Sequence, residues 1–84
     1  MNYVVVLKAS AERELELLPA RLHDRIVERL VGLSNVPRPR GSKKLHGIEA
    51  YRIRVGDYRV LYEVDDRRQR VTVYSIGHRR EVYR

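Results

Sequence analysis

Cysteine, tryptophan and phenylalanine are absent from these 84 residues, and methionine occurs once. Without cysteine there is no disulfide framework, no Cys-based zinc site and no thiol nucleophile. Without Trp or Phe, the 43% of hydrophobic residues must build an aliphatic core, with six tyrosines at its rim, each wanting a partner for its hydroxyl. No apolar run approaches the ~18 residues of a membrane span. The short run Tyr3-Val4-Val5-Val6-Leu7 has neither a basic region before it nor a small-residue cleavage site after it. The expectation is a cytoplasmic protein that does not engage membranes. No pair of carboxylates with metal-ligand character, Gly-rich phosphate loop or Ser/His/Asp constellation is visible, so no metal and no cofactor is expected.

What is abundant is positive charge. Eighteen Lys and Arg against eleven Asp and Glu give a net charge of +7 and a pI near 10.2, which favours polyanionic partners. Residues 43–84 hold eleven of the cations and six of the acids, so the C-terminal half carries most of the field. Fifteen of the eighteen cations are arginine, the residue suited to bidentate phosphate contacts and base stacking. The length fits one domain, residues 1–84, and is too short for two.

Tyr3–Leu7 is apolar and β-branched without alternation, which predicts a strand inside a sheet. Ser10 offers an N-cap to a short helix over about 11–18, with Leu15 and Leu18 inward. Pro19 ends that helix and can open the next. There Leu22, Ile26, Leu30 and Leu33 recur at helical spacing, widened by Val27 and Val31, with Arg21, Asp24, Arg25, Glu28 and Arg29 opposite. Asn35 to Lys44 (NVPRPRGSKK) is a loop by composition. Its cations Arg38, Arg40, Lys43 and Lys44 fit either a phosphate-contacting arm or a solvated connector. Leu45-His46-Gly47 reads as a turn, and His23 and His46 as structural or solvent-facing.

From residue 48 the period changes to 2. Tyr51, Ile53 and Val55 alternate with Arg52 and Arg54; Gly56-Asp57 makes a two-residue turn; Tyr58, Val60, Tyr62 and Val64 alternate with Arg59, Leu61 and Glu63. A second turn at residues 65–68 leads to a strand from Val71 to Ile76. The fold class is therefore α+β in the order β-α-α-β-β-β, an antiparallel meander joined by the first strand, with an αα-hairpin packed on one face. Two helices cover one face only, so Arg52, Arg54 and Arg59 belong to the open one. They either pair with Glu49, Glu63 and Asp57 or form an anion site. A second basic cluster in the last seven residues favours the anion site.

The segments KKLHGIEAYRIRVGDYRVLYEV and VYSIGHRREVYR resemble the RelE branch of the RelE/ParE superfamily of toxins from bacterial and archaeal toxin–antitoxin modules. The resemblance implies a small α+β domain that enters the ribosome and cuts mRNA without a metal, is monomeric when free, and is neutralised by an antitoxin. That antitoxin is expected to be acidic and to wrap the basic face. By position, the family's catalytic residues fall on Arg52, Arg54, Arg59, Arg79 and Tyr83. His78, whose side-chain type titrates nearest neutrality, is added as an accessory proton carrier on its own chemistry. Lys43, Lys44, Arg38, Arg40, Arg80 and Arg84 would hold RNA or ribosome. Well-known members carry lysines at the first two positions, and arginine, unlike lysine, does not give up its proton. Two other functions fit the same fold: a ParE-like inhibitor of DNA gyrase, and a ribosome- or RNA-binding module without catalysis.

Overall fold

The computed structural model describes residues 2–45, 47 and 49–78. The elements run β1 (Val4–Leu7), α1 (Ala9–Glu16), α2 (Ala20–Leu33), β2 (Lys43–Lys44), β3 (Ala50–Val55), β4 (Tyr58–Asp65) and β5 (Arg70–His78). They build one mixed sheet in the order β1-β5-β4-β3-β2, with both helices against one face. No helix among the described residues is long and apolar enough to cross a membrane.

The hairpin of β3 and β4 forms as its alternation requires. Gly56 at φ +61° supplies the left-handed backbone that a two-residue turn demands. Tyr51, Ile53, Val55, Val60, Tyr62 and Val64 point under the helices and join Ile26, Leu30, Leu33, Val71, Val73 and Ile76 in the core. The amphipathic stripe of α2 explains its placement: Ile26, Leu30 and Leu33 are buried, with Leu22 half-covered at the end.

Three expectations need correction. β1 is an edge strand, not an interior one, and it pairs parallel to β5, Val4 opposite Arg70 through Leu7 opposite Val73. The sheet is therefore mixed and not a simple antiparallel meander. Parallel neighbours need a long connection, and here the whole stretch from α1 to β4 lies between β1 and β5. A fifth strand, Lys43–Lys44, sits where the composition indicated loop; it pairs antiparallel to β3 with Lys43 opposite Arg52. Finally, α1 starts at Ala9 with Lys8 at its N-cap, so Ser10 lies inside the helix and its hydroxyl donates to the Tyr74 carbonyl (3.3 Å).

Strand β5 runs two residues further than its apolar pattern, through Gly77 and His78, and carries a bulge opposite Leu61 and Tyr62. Tyr74 is the extra residue, since Leu61 pairs with Ser75 and Tyr62 with Val73. Helix α1 holds this irregularity from both sides. Ser10 takes the Tyr74 carbonyl and the Glu14 carboxylate accepts the Ile76 N–H at 2.8 Å, the two side chains lying one helical turn apart on the same face.

Candidate nucleic-acid interface

Cross-strand pairing decides which residues share the face away from the helices. Lys43 pairs with Arg52, Arg52 with Leu61, and Leu61 with Ser75; in the next such row Arg54 pairs with Arg59 and Arg59 with Gly77. Partners in a row project to the same side with Cβ atoms about 5 Å apart. Lys43, Arg52, Arg54 and Arg59 thus form one patch across three strands, at the end of the sheet where β5 leaves. Among the described residues no carboxylate forms an ion pair with Arg52 or Arg54. Glu49, one of the acids expected to neutralise them, instead accepts from Lys44 Nζ at 3.2 Å.

The arginines are not equivalent. Arg54 is exposed and Arg52 half-covered, whereas Arg59 is only 9% exposed although it lies on the face the helices leave open. The expectation of three surface arginines is corrected here: Arg59 sits in the central strand of the sheet, flanked by neighbours on both sides, and its charge acts from a partly desolvated position. The backbone beneath is fixed as well, since Arg29 of α2 donates to the Arg54 carbonyl at 3.1 Å.

His78 goes elsewhere. It pairs with Tyr58, and the two rings meet edge to face with centroids 5.6 Å apart on the helix-covered side. It lines a small cleft with Glu14, Leu17, Leu18 and Tyr58. The bulge at Tyr74 shifts the alternation of β5 by one residue, which is why counting from Val71 misplaces its end. Arg79, Arg80, Tyr83, Arg84 and His46 lie outside the described residues.

The cations of the 35–44 loop also separate. Arg38 is a clamp: its Nη1 and Nη2 donate to the two Asp66 oxygens at 3.2 and 2.9 Å, its Nε donates to Tyr51 Oη at 2.8 Å, and its guanidinium carbon lies 5.0 Å from the Tyr51 ring centroid. Asp66 also accepts from the Tyr3 hydroxyl at 2.6 Å. The Arg38 contact, then that from Tyr3, holds the Asp66 carboxyl below the usual carboxylate range, and the same bond to Asp66 raises Tyr3. Tyr62, stacked on Tyr51 with centroids 5.9 Å apart, donates to the Pro37 carbonyl at 2.8 Å; burial pushes its phenol up to about 12. The loop is therefore pinned to the sheet, and the reading of a free arm does not hold for Arg38. Lys44 pairs with Tyr51 across β3, which turns it away from the arginines, while Lys43 joins them. Arg40 is exposed.

Over residues 5–83 the sequence matches the family described as the ParE toxin of type II toxin–antitoxin systems, parDE. The chain belongs to the RelE/ParE superfamily of toxins. Among its relatives are two proteins of Mycobacterium tuberculosis: Toxin RelE, 37% identical over 98% of this chain and 87% of its own, and Toxin RelG, 35% identical over 100% and 99%. Among solved structures, the toxin–antitoxin complex RelBE2 from the same organism aligns at TM-score 0.83 and 33% identity, covering 93% of this chain and 92% of the other. The archaeal RelE–RelB complex from Pyrococcus horikoshii aligns at 0.81 and 27%, covering 98% and 100%. The protein is accordingly a toxin of a type II module with a cognate antitoxin as partner.

The two ends of the open face of this RelE/ParE toxin differ in their charged groups. At the end opposite the arginines, a cleft of about 580 Å³ is lined by Glu49, Glu63, Asp65, Arg67, Arg70 and Thr72. Carboxylates and arginines mix in this cleft, whereas the opposite end of the face is lined by Lys43, Arg52, Arg54 and Arg59.

Proposed function

We propose that this toxin is a ribosome-dependent endoribonuclease that cuts mRNA without a metal ion. The observation that carries the reading is the patch of Lys43, Arg52, Arg54 and Arg59, built on three hydrogen-bonded strands, with no carboxylate paired to Arg52 or Arg54 among the described residues. Like charges held this close repel, and an anionic ligand relieves the repulsion.

Metal-free cleavage attacks the phosphate with the adjacent 2′-hydroxyl. It requires in-line positioning, stabilisation of the added charge on the phosphorane, and two proton transfers. Arg59 is the residue assigned to the phosphorane, because a nearly buried guanidinium stabilises developing charge more strongly than an exposed one. Arg52 and Arg54 hold the flanking phosphates, and Arg79, directly after β5 in sequence, supplies a second charge. Arginine does not release a proton at accessible pH. Proton transfer therefore falls to Tyr83 and to Lys43, the ammonium that strand pairing adds to the face. Lys43 takes up the part left by the lysines that well-known members carry at the Arg52 and Arg54 positions.

Primer extension on a translated reporter mRNA tests this reading, with ribosomes omitted from a parallel reaction. Cuts that appear only with ribosomes are the expected result; intact mRNA in both reactions would overturn it. Gyrase inhibition is the second reading, and relatives named RelE and RelG do not favour it. Translation that continues while DNA damage accumulates would establish it.

A further inference from the structure

Tyr74 stands apart from the other described tyrosines. Tyr3, Tyr51, Tyr58 and Tyr62 belong to the helix-covered core or pack against it, and Tyr74 does neither. Strand geometry places its ring on the opposite face. Thr72 pairs with Glu63 on the open side, Val73 with Tyr62 in the core, and Ser75 with Leu61, again on the open side. A regular strand would turn residue 74 outward and return residue 75 to the core; the bulge instead leaves Tyr74 and Ser75 in succession on the open face. The extra residue thus adds a ring to that face without displacing the partner of Leu61. Its backbone is fixed by α1, because Ser10 donates to the Tyr74 carbonyl at 3.3 Å and the Ile76 N–H to Glu14 at 2.8 Å. A platform held this way loses little freedom when a planar ligand settles on it.

A cation accompanies the ring. Strand β1 ends at Leu7, opposite Val73, but the chain stays extended at Lys8 (φ −67°, ψ 156°), whose N–H donates to the Val73 carbonyl at 2.8 Å. Alternation after Val6 therefore turns the exposed Lys8 side chain to the open face beside Tyr74. We propose that Tyr74 is a stacking platform for one unpaired base of the bound mRNA, next to the phosphate held by Arg59. Arg59 pairs with Gly77, three residues along β5, so the ring lies about 10 Å from the reacting phosphate, within reach of a neighbouring nucleotide. An aromatic face with an ammonium beside it is the combination that single-stranded nucleic acid meets through stacking and charge. Bases inside a duplex are stacked on one another and offer no free face, so the subsite selects a single strand; any base can stack, so it imposes no sequence. The inference rests on the nuclease reading and deepens it.

The test is the rate of mRNA cleavage on ribosomes by the full chain and by Tyr74→Phe and Tyr74→Leu, with melting of each recorded. Each protein is given intact mRNA and mRNAs with a single abasic nucleotide at successive positions around the cut. Tyr74→Phe keeps the ring and should cut like the wild type, whereas Tyr74→Leu keeps only apolar bulk and should lose about 5- to 150-fold in kcat/KM. One abasic position should slow the wild type by a similar factor and leave Tyr74→Leu no slower than on intact mRNA, since base and ring are then one interaction. Wild-type rates from folded Tyr74→Leu, an equal loss in Tyr74→Phe, or an abasic effect of the same size in both proteins would overturn the proposal. The abasic series reads the wild type by itself, so a Tyr74→Leu chain that melts early leaves it decisive: no position that slows the wild type would also overturn the proposal. Wild-type protein that leaves mRNA intact on ribosomes would remove the nuclease reading and this subsite with it.

Discussion

Arg54 and Arg59 face each other directly across β3 and β4, and replacing the exposed one should stabilise the toxin while damaging it. With guanidinium centres roughly 6 Å apart, one exposed and one nearly buried, their repulsion is at least the value in water, about 0.7 kcal/mol, near the upper part of the range of about 0.2–1 kcal/mol for a cross-strand pair. Arg54→Thr removes it, keeps the backbone carbonyl that Arg29 holds, and introduces a residue better suited to a strand. In a domain of this size about 1 kcal/mol moves the melting temperature by roughly 4–8 °C, so at low salt the variant should melt about 3–5 °C higher. Screening should shrink the gain to about half at 0.1 M salt and nearly abolish it at 1 M, where the Debye length is about 3 Å. Thermal unfolding at three salt concentrations, beside mRNA cleavage by the same preparations, reads both effects. A variant that melts lower at low salt, or gains stability independently of salt, would refute the reasoning, because the pair would then not be a strained anion site.

Glu14→Ala orphans the Ile76 N–H and should cost about 1–2 kcal/mol, whereas Glu14→Gln retains an acceptor and most of the stability; chemical denaturation of both variants checks this. Tyr62 is fully buried with its phenol raised to about 12. A group whose folded pKa is raised contributes fully below its unfolded value and loses that contribution as pH rises, so stability should fall from about pH 10 toward 12. Tyr62→Phe should flatten that decline; an unchanged pH profile would contradict the assignment. Asp66 has the opposite sign: its lowered pKa stabilises above the ordinary carboxylate range and is lost as pH falls through the folded value, an acid limb that Asp66→Asn should remove.

The features legible in the sequence were those written in local periodicity. Alternation of Tyr51, Ile53 and Val55 with Arg52 and Arg54 sufficed to assign faces, and Gly56-Asp57 to set the hairpin register. The spacing of Ile26, Leu30 and Leu33 likewise gave α2 and its buried side. Illegible were the features decided between distant segments. The parallel partner of β1 lies more than 60 residues away, and nothing in Tyr3–Leu7 encodes it. A strand as short as Lys43–Lys44 has no period to read, although it brings Lys43 to the arginines. The bulge at Tyr74 inverts the alternation of β5 and sends His78 to the side of Tyr58; its signal was Ser10 and Glu14 at helical spacing, which acquires meaning only once α1 lies on β5. Arg38 read as a free cation because Asp66 and Tyr51, which hold it, are far along the chain.

Cutting of mRNA is assigned to the arginine face. The most direct test is the rate of reporter-mRNA cleavage on ribosomes by the wild type and by the double variant Arg52→Gln, Arg54→Gln, each shown to melt normally. Loss of two phosphate-holding groups at a reacting centre predicts a fall of at least about 100-fold, some 2.7 kcal/mol of transition-state stabilisation. Cleavage at the wild-type rate by the folded double variant would contradict the claim and move the active site off this face.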